Sequence, residues 1–142
     1  MGDRANVFIR TVYPESAYKK RKGVYLYSHW SGSGLPELVR QALAKQWRWN
    51  DEPYLTRIIF DVMTEGCHGE ELSFGISTRM PDNEYPIIEV DCKTQEVRFL
   101  AYDWKRHRVD PKKVLASYSF SDYVALDKAT WPVECDCEEC AA

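Results

Sequence analysis

Apolar positions along the chain follow two periods, and the points where one gives way to the other predict the elements. Asn6–Val12 has the β-branched and aromatic character of a first strand, and the polar stretch Pro14–Lys22, with its basic run Lys19–Lys22, reads as a solvated loop. Val24–Ser28 is a second strand, with Tyr25 and Tyr27 on one face and Val24, Leu26 and Ser28 on the other, pairing antiparallel with the first. The period then lengthens. Leu35, Leu38, Val39, Ala42 and Leu43 form a helical stripe with Pro36 in its first turn. After a break over Trp47–Asp51, a second helix capped by Asp51 carries Leu55, Ile58, Ile59, Val62 and Met63 and stops at Gly66. Alternation returns over Glu70–Thr78, with Leu72, Phe74 and Ile76 expected inward. A turn over Met80–Tyr85 leads to a hairpin, Tyr85–Val90 and Glu96–Tyr102, linked by Asp91–Gln95. Ser119 and Asp122 open a short last helix as a capping box.

This order predicts an α+β fold, a mainly antiparallel sheet with two adjacent helices packed on one face and a short C-terminal helix. With 142 residues, 44% of them hydrophobic, residues 1–130 are expected as one domain and 131–142 as a Cys-rich acidic tail. A net charge of only −3, mixed along the chain, argues against a duplex nucleic acid or an anionic membrane as partner. No run of about 18 apolar residues could span a bilayer, and no signal-peptide core opens the chain, so a cytoplasmic protein is expected.

The junction GVYLYSHWSGSG concentrates the chemistry. Here a strand carrying Tyr27 ends in His29 and Trp30 and runs through Gly32 and Gly34 into a helix, setting a titratable ring, a flat aromatic and bare amides at one corner. Such a corner suits a small anion. The turn is neither GxGxxG nor a P-loop. His29 lacks a metal-ligand companion at HxH, HxxxH or HExxH spacing, and its simplest alternative role is a structural hydrogen bond; Trp30 could stack a base or lid the core. Arg57, at the edge of the second helix stripe, could hold a phosphate, or simply pair with Asp61 four residues on. Ser77, Thr78 and Arg79, with the Asp82–Asn83 turn, form a second donor patch.

Five cysteines, three of them in the tail motif ECDCEEC, do not form a disulfide framework. Cys135, Cys137 and Cys140 supply three thiols where tetrahedral zinc needs four ligands, and Cys67 or His68 could complete the set only through the fold. Incidental thiols, no bound metal and no cofactor are expected.

The segments MGDRANV, GVYLYSHWSG, DEPYLTRIIFDVM, FGIST and DNEYPIIEVD together resemble a family of small proteins without assigned activity from bacteriophage and bacterial genomes. The resemblance reaches to about Asp91; members commonly have Gly where this chain has Ser31, and the Cys-rich tail lies outside the pattern. It implies a phage accessory role and adds Arg4 and Asn6 to the candidate residues.

Three function classes follow. The first is a non-enzymatic binder of a nucleotide-like or other phosphate-bearing molecule, sequestering a host signal. The second is a hydrolase or transferase using His29 with Asp51, Asp61 or Asp82, for which no nucleophile-elbow context surrounds Ser28 or Ser31. The third is a module inhibiting a host protein through its Tyr and Trp residues. The first is preferred, with Arg4, Asn6, Tyr27, His29, Trp30, Gly32, Arg57, Ser77, Thr78, Arg79 and Asn83 as ligand contacts and a homodimer as the assembly.

Overall fold

The strand that sequence places first is almost wholly buried, because it lies in the middle of the sheet. The computed structural model describes residues 2–12 and 22–132. In it, β1 (Ala5–Arg10) pairs antiparallel with β2 (Gly23–Ser28) on one side and parallel with β4 (Ile87–Asp91) on the other. A parallel partner requires the chain to cross over between them. That crossover contains α1 (Leu35–Ala44), α2 (Glu52–Met63) and β3 (Phe74–Ser77). β5 (Glu96–Asp103) and β6 (Arg108–Ser119) complete a six-stranded mixed, mostly antiparallel sheet in the order β3-β2-β1-β4-β5-β6, and α3 (Phe120–Ala125) closes the described chain. The fold is α+β, as the alternating periods imply.

Each helix forms where its apolar stripe can meet the sheet. Leu35, Val39, Ala42 and Leu43 of α1 and Leu55, Ile59, Val62 and Met63 of α2 pack on Val7, Ile9, Leu26, Ile88, Val90 and Phe99, with Leu38 only partly buried at the margin. Ser119 caps α3 by accepting the Asp122 amide at 3.0 Å, as its capping box predicts. Asp51 occupies the N-cap position of α2 without a side-chain cap bond; its carboxylate reaches Arg48 instead, at 3.7 Å.

The opposite sheet face carries a smaller apolar cluster, Phe8, Ile87 and Leu100 with Tyr25, Met80 and Val109 against it. Beyond this, Arg98 donates to Glu89 at 2.8 Å and to Asp91 at 2.7 Å, and Arg10 lies 3.8 Å from Asp91. Asp91 stays ionised: burial would raise its carboxyl, but the Thr94 and Lys93 amides and Arg98 outweigh burial and hold it below the usual range.

Three expectations change. β3 is shorter than Glu70–Thr78, and Leu72 and Ile76, expected inward, are 70% and 61% exposed. Ile76 stands opposite Leu26 and so shares the helix-bearing face, but on the outermost strand no helix reaches over it. Phe74 alone of the three packs on the core, edge-on to Phe60. β6 has no counterpart in the hydrophobic pattern: as an outer strand carrying Pro111, Lys112 and Lys113, it lacks alternation over its first half. Trp131, the first residue of the expected tail, packs against the core, while Pro14–Arg21 and the three tail cysteines lie outside the described residues. Among the described residues no helix is long and apolar enough to cross a membrane.

Candidate functional site

The Gly32–Gly34 turn does hold a carboxylate, but it is the chain's own. Asp3 reaches across from the start of β1 and accepts the Ser33 amide at 2.9 Å on Oδ2 and the Tyr85 hydroxyl on Oδ1. Its backbone joins the same knot: the Asp3 amide donates to His29 O at 2.7 Å, and the Gly32 amide donates to Asp3 O at 2.8 Å. Gly32 is required by this close approach, since a Cβ there would lie 2.5 Å from Asp3 O. Trp131 closes the knot, stacked on Tyr85 at 4.7 Å and donating its indole N–H to Gly32 O at 2.8 Å. Burial alone would raise the Asp3 carboxyl, but the Tyr85 and Ser33 bonds outweigh it and hold it below the usual range. The same bond pushes the Tyr85 phenol up to about 12, with burial adding to it. The anion site expected here is therefore internally satisfied, and Gly32 serves the fold by its small size.

The other sequence-derived candidates fall in three places. Arg4, Asn6, Tyr27, His29 and Asn83 come together at the end of the sheet where β1 starts. The Tyr27 hydroxyl and His29 Nδ1 are 2.6 Å apart, and Trp30 meets the His29 ring edge-on. Asp61 pairs with Arg57, Asp51 with Arg48 and Asp82 with Arg4, so each carboxylate considered for His29 has a cation partner of its own. Asn6 is fully buried and donates to Asp82 O at 3.0 Å and to Asn83 Oδ1 at 3.1 Å; Asn83 in turn donates to Tyr85 O. These two amides hold the segment 82–85 against β1, a structural duty. Arg57 is remote, on an exposed face of α2 and paired with Asp61, the plain alternative for that residue. Ser77, Thr78 and Arg79 end β3, where the Ser77 hydroxyl accepts the Arg79 amide at 3.0 Å.

Beside the Asn6–Asn83 clamp opens a cleft of about 390 Å³ lined by Arg4, Met80, Pro81, Asp82, Asn83, Tyr102, Trp104 and His107. One wall is the segment 80–83. The other is the β5–β6 turn, where the Asp103 carboxylate accepts the Lys105 and Arg106 amides and His107 takes a left-handed φ of 49°. That turn stands Trp104 edge-on to Tyr102 at 4.9 Å, with the indole 53% exposed, and places His107 Nδ1 3.4 Å from the Tyr102 hydroxyl. At the base, Arg4 donates through Nε to Glu84 at 2.7 Å and through Nη1 to Asp82 at 3.3 Å. The bond to Glu84 raises the Arg4 guanidinium further and holds the Glu84 carboxyl below its usual range, burial opposing both. Burial, with Asp82 nearby, pushes the Tyr27 and Tyr102 phenols up.

The cleft thus offers flat rings beside one cation and one exposed carboxylate, Asp82 being 74% exposed. A planar heterocycle with both donors and acceptors on its edge could satisfy all three. The sequence reading did not single out Tyr102, Trp104 and His107, which line this cleft. The run Tyr102–Arg108, two aromatics followed by a basic cluster at a hairpin tip, was the available signal. Among the described residues no three His, Cys, Asp or Glu side chains gather as a metal set. Burial pushes the Cys92 thiol up to about 12, which leaves it an unreactive core residue. No family model, no curated protein and no solved structure matches the chain, so the chemistry of the cleft is what bears on its role.

Proposed function

We propose that the protein is a non-catalytic binder of a small nucleotide-like ligand, held by its base in the cleft between the segment 80–83 and the β5–β6 turn. One observation carries this reading: the exposed Trp104 indole and the Tyr102 ring converge with Arg4 and Asp82 on one cleft of about 390 Å³. Stacking a base on an aromatic ring contributes about 1–3 kcal/mol, whereas an exposed ion pair contributes about 0–1 kcal/mol. Asp82 and Glu84 already neutralise Arg4, so a phosphate gains little there. The ring leads and the phosphate follows. In the phage setting that the resemblance implies, such a binder would sequester a host signalling nucleotide.

Thermal-shift and calorimetric titrations with nucleosides and with mono-, di- and cyclic nucleotides test this. A specific base is expected to stabilise the protein by about 2.7 kcal/mol at a hundredfold excess over Kd, whether or not it carries phosphate. Trp104→Ala removes the effect, and Asp82→Asn changes which base binds best. Absence of any stabilising nucleoside or nucleotide, or binding untouched by Trp104→Ala, overturns the proposal.

A second reading, a module inhibiting a host protein, draws on the link between the helices. Trp47 and Tyr54 are 58% and 52% exposed, each with a cation, Lys45 or Arg48, 4.9 Å from its ring centroid. Gln46 and Arg48, on either side of Trp47, both take a left-handed φ of 58°. Such conformations cost about 1–3 kcal/mol each, which the fold bears while presenting a Trp, a Tyr and an Arg of the type that dominates interfaces. Under this reading Trp47→Ala abolishes partner inhibition and leaves nucleotide titrations unchanged.

A further inference from the structure

We propose that the cleft selects guanine over the other bases, the Asp82 carboxylate and the Arg4 guanidinium together reading its hydrogen-bonding edge. This rests on the reading of the cleft as a base-binding site and adds the identity of the base. Stacking on Tyr102 or Trp104 does not supply that identity, because every base has a flat face. The choice falls to the polar groups of the lining.

Those groups differ in what they have left to offer. Asn83 is engaged at both ends of its amide, Oδ1 accepting from Asn6 at 3.1 Å and Nδ2 donating to Tyr85 O. The Tyr102 hydroxyl and His107 Nδ1 lie 3.4 Å apart, and each can donate or accept, so neither enforces a pattern. Asp82 and Arg4 do. A carboxylate has acceptors and no donor, and a guanidinium has donors and no acceptor. Arg4 Nη1 donates to Asp82 Oδ2 at 3.3 Å, which sets the two groups side by side. Among the described residues neither Asp82 Oδ1 nor Arg4 Nη2 makes a hydrogen bond. The pair therefore presents two acceptors followed by a donor: Oδ1, Oδ2, guanidinium.

Guanine carries the complement of that pattern. Its C2 amino group and N1–H donate and its O6 accepts, in that order along one edge. Set against the pair, the amino group donates to Oδ1, N1–H donates to Oδ2, and O6 accepts from Arg4. Adenine, cytosine and uracil each carry one donor group on the corresponding edge, so one carboxylate oxygen goes unmatched. A site built to hydrogen-bond a group discriminates strongly against an analogue that lacks it, because its own polar atoms are then left unpaired. Bonds to a carboxylate are also charge-assisted and among the stronger kind.

Calorimetric titration of the full chain with guanosine, inosine, xanthosine, adenosine, cytidine and uridine tests the proposal. Guanosine is expected to bind most tightly, and inosine, which lacks only the C2 amino group, about tenfold more weakly. Asp82→Asn keeps the main-chain carbonyl to which Asn6 donates but exchanges one side-chain acceptor for a donor. It is expected to reverse the order of guanosine and xanthosine, whose C2 carbonyl stands in place of the amino group. A merely structural Asp82 would weaken both nucleosides alike. Equal binding of guanosine and inosine, or an Asp82→Asn chain that still prefers guanosine, overturns the assignment. Another base that binds best and is lost with Trp104→Ala overturns the choice of guanine and leaves the base site standing; no binding by any nucleoside overturns both. The ratio of guanosine to inosine is read on the parent chain and remains decisive should Asp82→Asn unfold.

Discussion

A carboxylate that accepts two hydrogen bonds from the fold resists protonation, and Asp3 accepts them from Ser33 and Tyr85. Its removal leaves those donors unpaired, so Asp3→Ala is expected to lower unfolding free energy by about 1–2 kcal/mol in urea titrations. Gly32→Ala is expected to cost about 1–3 kcal/mol, because the added methyl meets the Asp3 carbonyl, a backbone atom that cannot swing aside. Neither effect depends on a ligand, which separates a structural Gly32 from a binding one. Gln95 tests backbone conformation in the other direction. It holds a φ of 55° in the β4–β5 turn, so Gln95→Gly is expected to stabilise the protein by about 0.5–1 kcal/mol. At this scale the glycine-serine turn was legible as a place of close backbone approach and free amides. What approaches was not, because Asp3 lies some thirty residues away in sequence and only the pairing of β1 with β2 brings it there.

Elements are joined by side chains whose local pattern looks ordinary. Glu37 sits in the first turn of α1, where an acid is unremarkable. It accepts Arg40 Nε and Nη2 at 2.7 Å and the Ala129 amide at 2.9 Å, tying α1 to the chain beyond α3. The Arg40 bonds, with the Ala129 amide and Gln41 assisting against burial, bring its carboxyl down from 4.5 to about 2. A depressed carboxylate stabilises the fold above its unfolded value and loses that contribution as pH falls through the folded one. Stability is therefore expected to decline between pH 4.5 and about 2, and Glu37→Gln to flatten urea-derived stability across that window. The helices were readable because their apolar stripes are continuous and every one of them meets the sheet. The extent and facing of β3, and the whole of β6, were not, because alternation reports burial rather than strand formation: Ile76 alternates correctly yet overhangs the helix layer, and the first half of β6 has nothing to bury.

Across the whole molecule, the parallel pairing of β1 with β4 sets the order of everything else. No local pattern announces it, since a buried central strand looks the same beside either kind of neighbour. The antiparallel pairing of β4 with β5 gathers Glu89, Asp91 and Arg98 on the face away from the helices, where the carboxylates are only 3% and 7% exposed. Arg98→Ala would take from two buried carboxylates the guanidinium they share, leaving Arg10 beside Asp91, and is expected to destabilise by about 3–5 kcal/mol by chemical denaturation. Such a loss would come without change at the cleft, which lies at the other end of β5. The cleft's own indole adds a spectroscopic consequence. Trp49 packs on Phe120 and Trp131 on Tyr85, so their fluorescence follows folding, while Trp104 emits from a half-exposed position on the cleft wall. Trp30 and Trp47 are exposed as well, so with both replaced by Phe a ring stacking on Trp104 would quench the long-wavelength part of the emission and spare the rest, giving an optical probe that tells occupancy from unfolding.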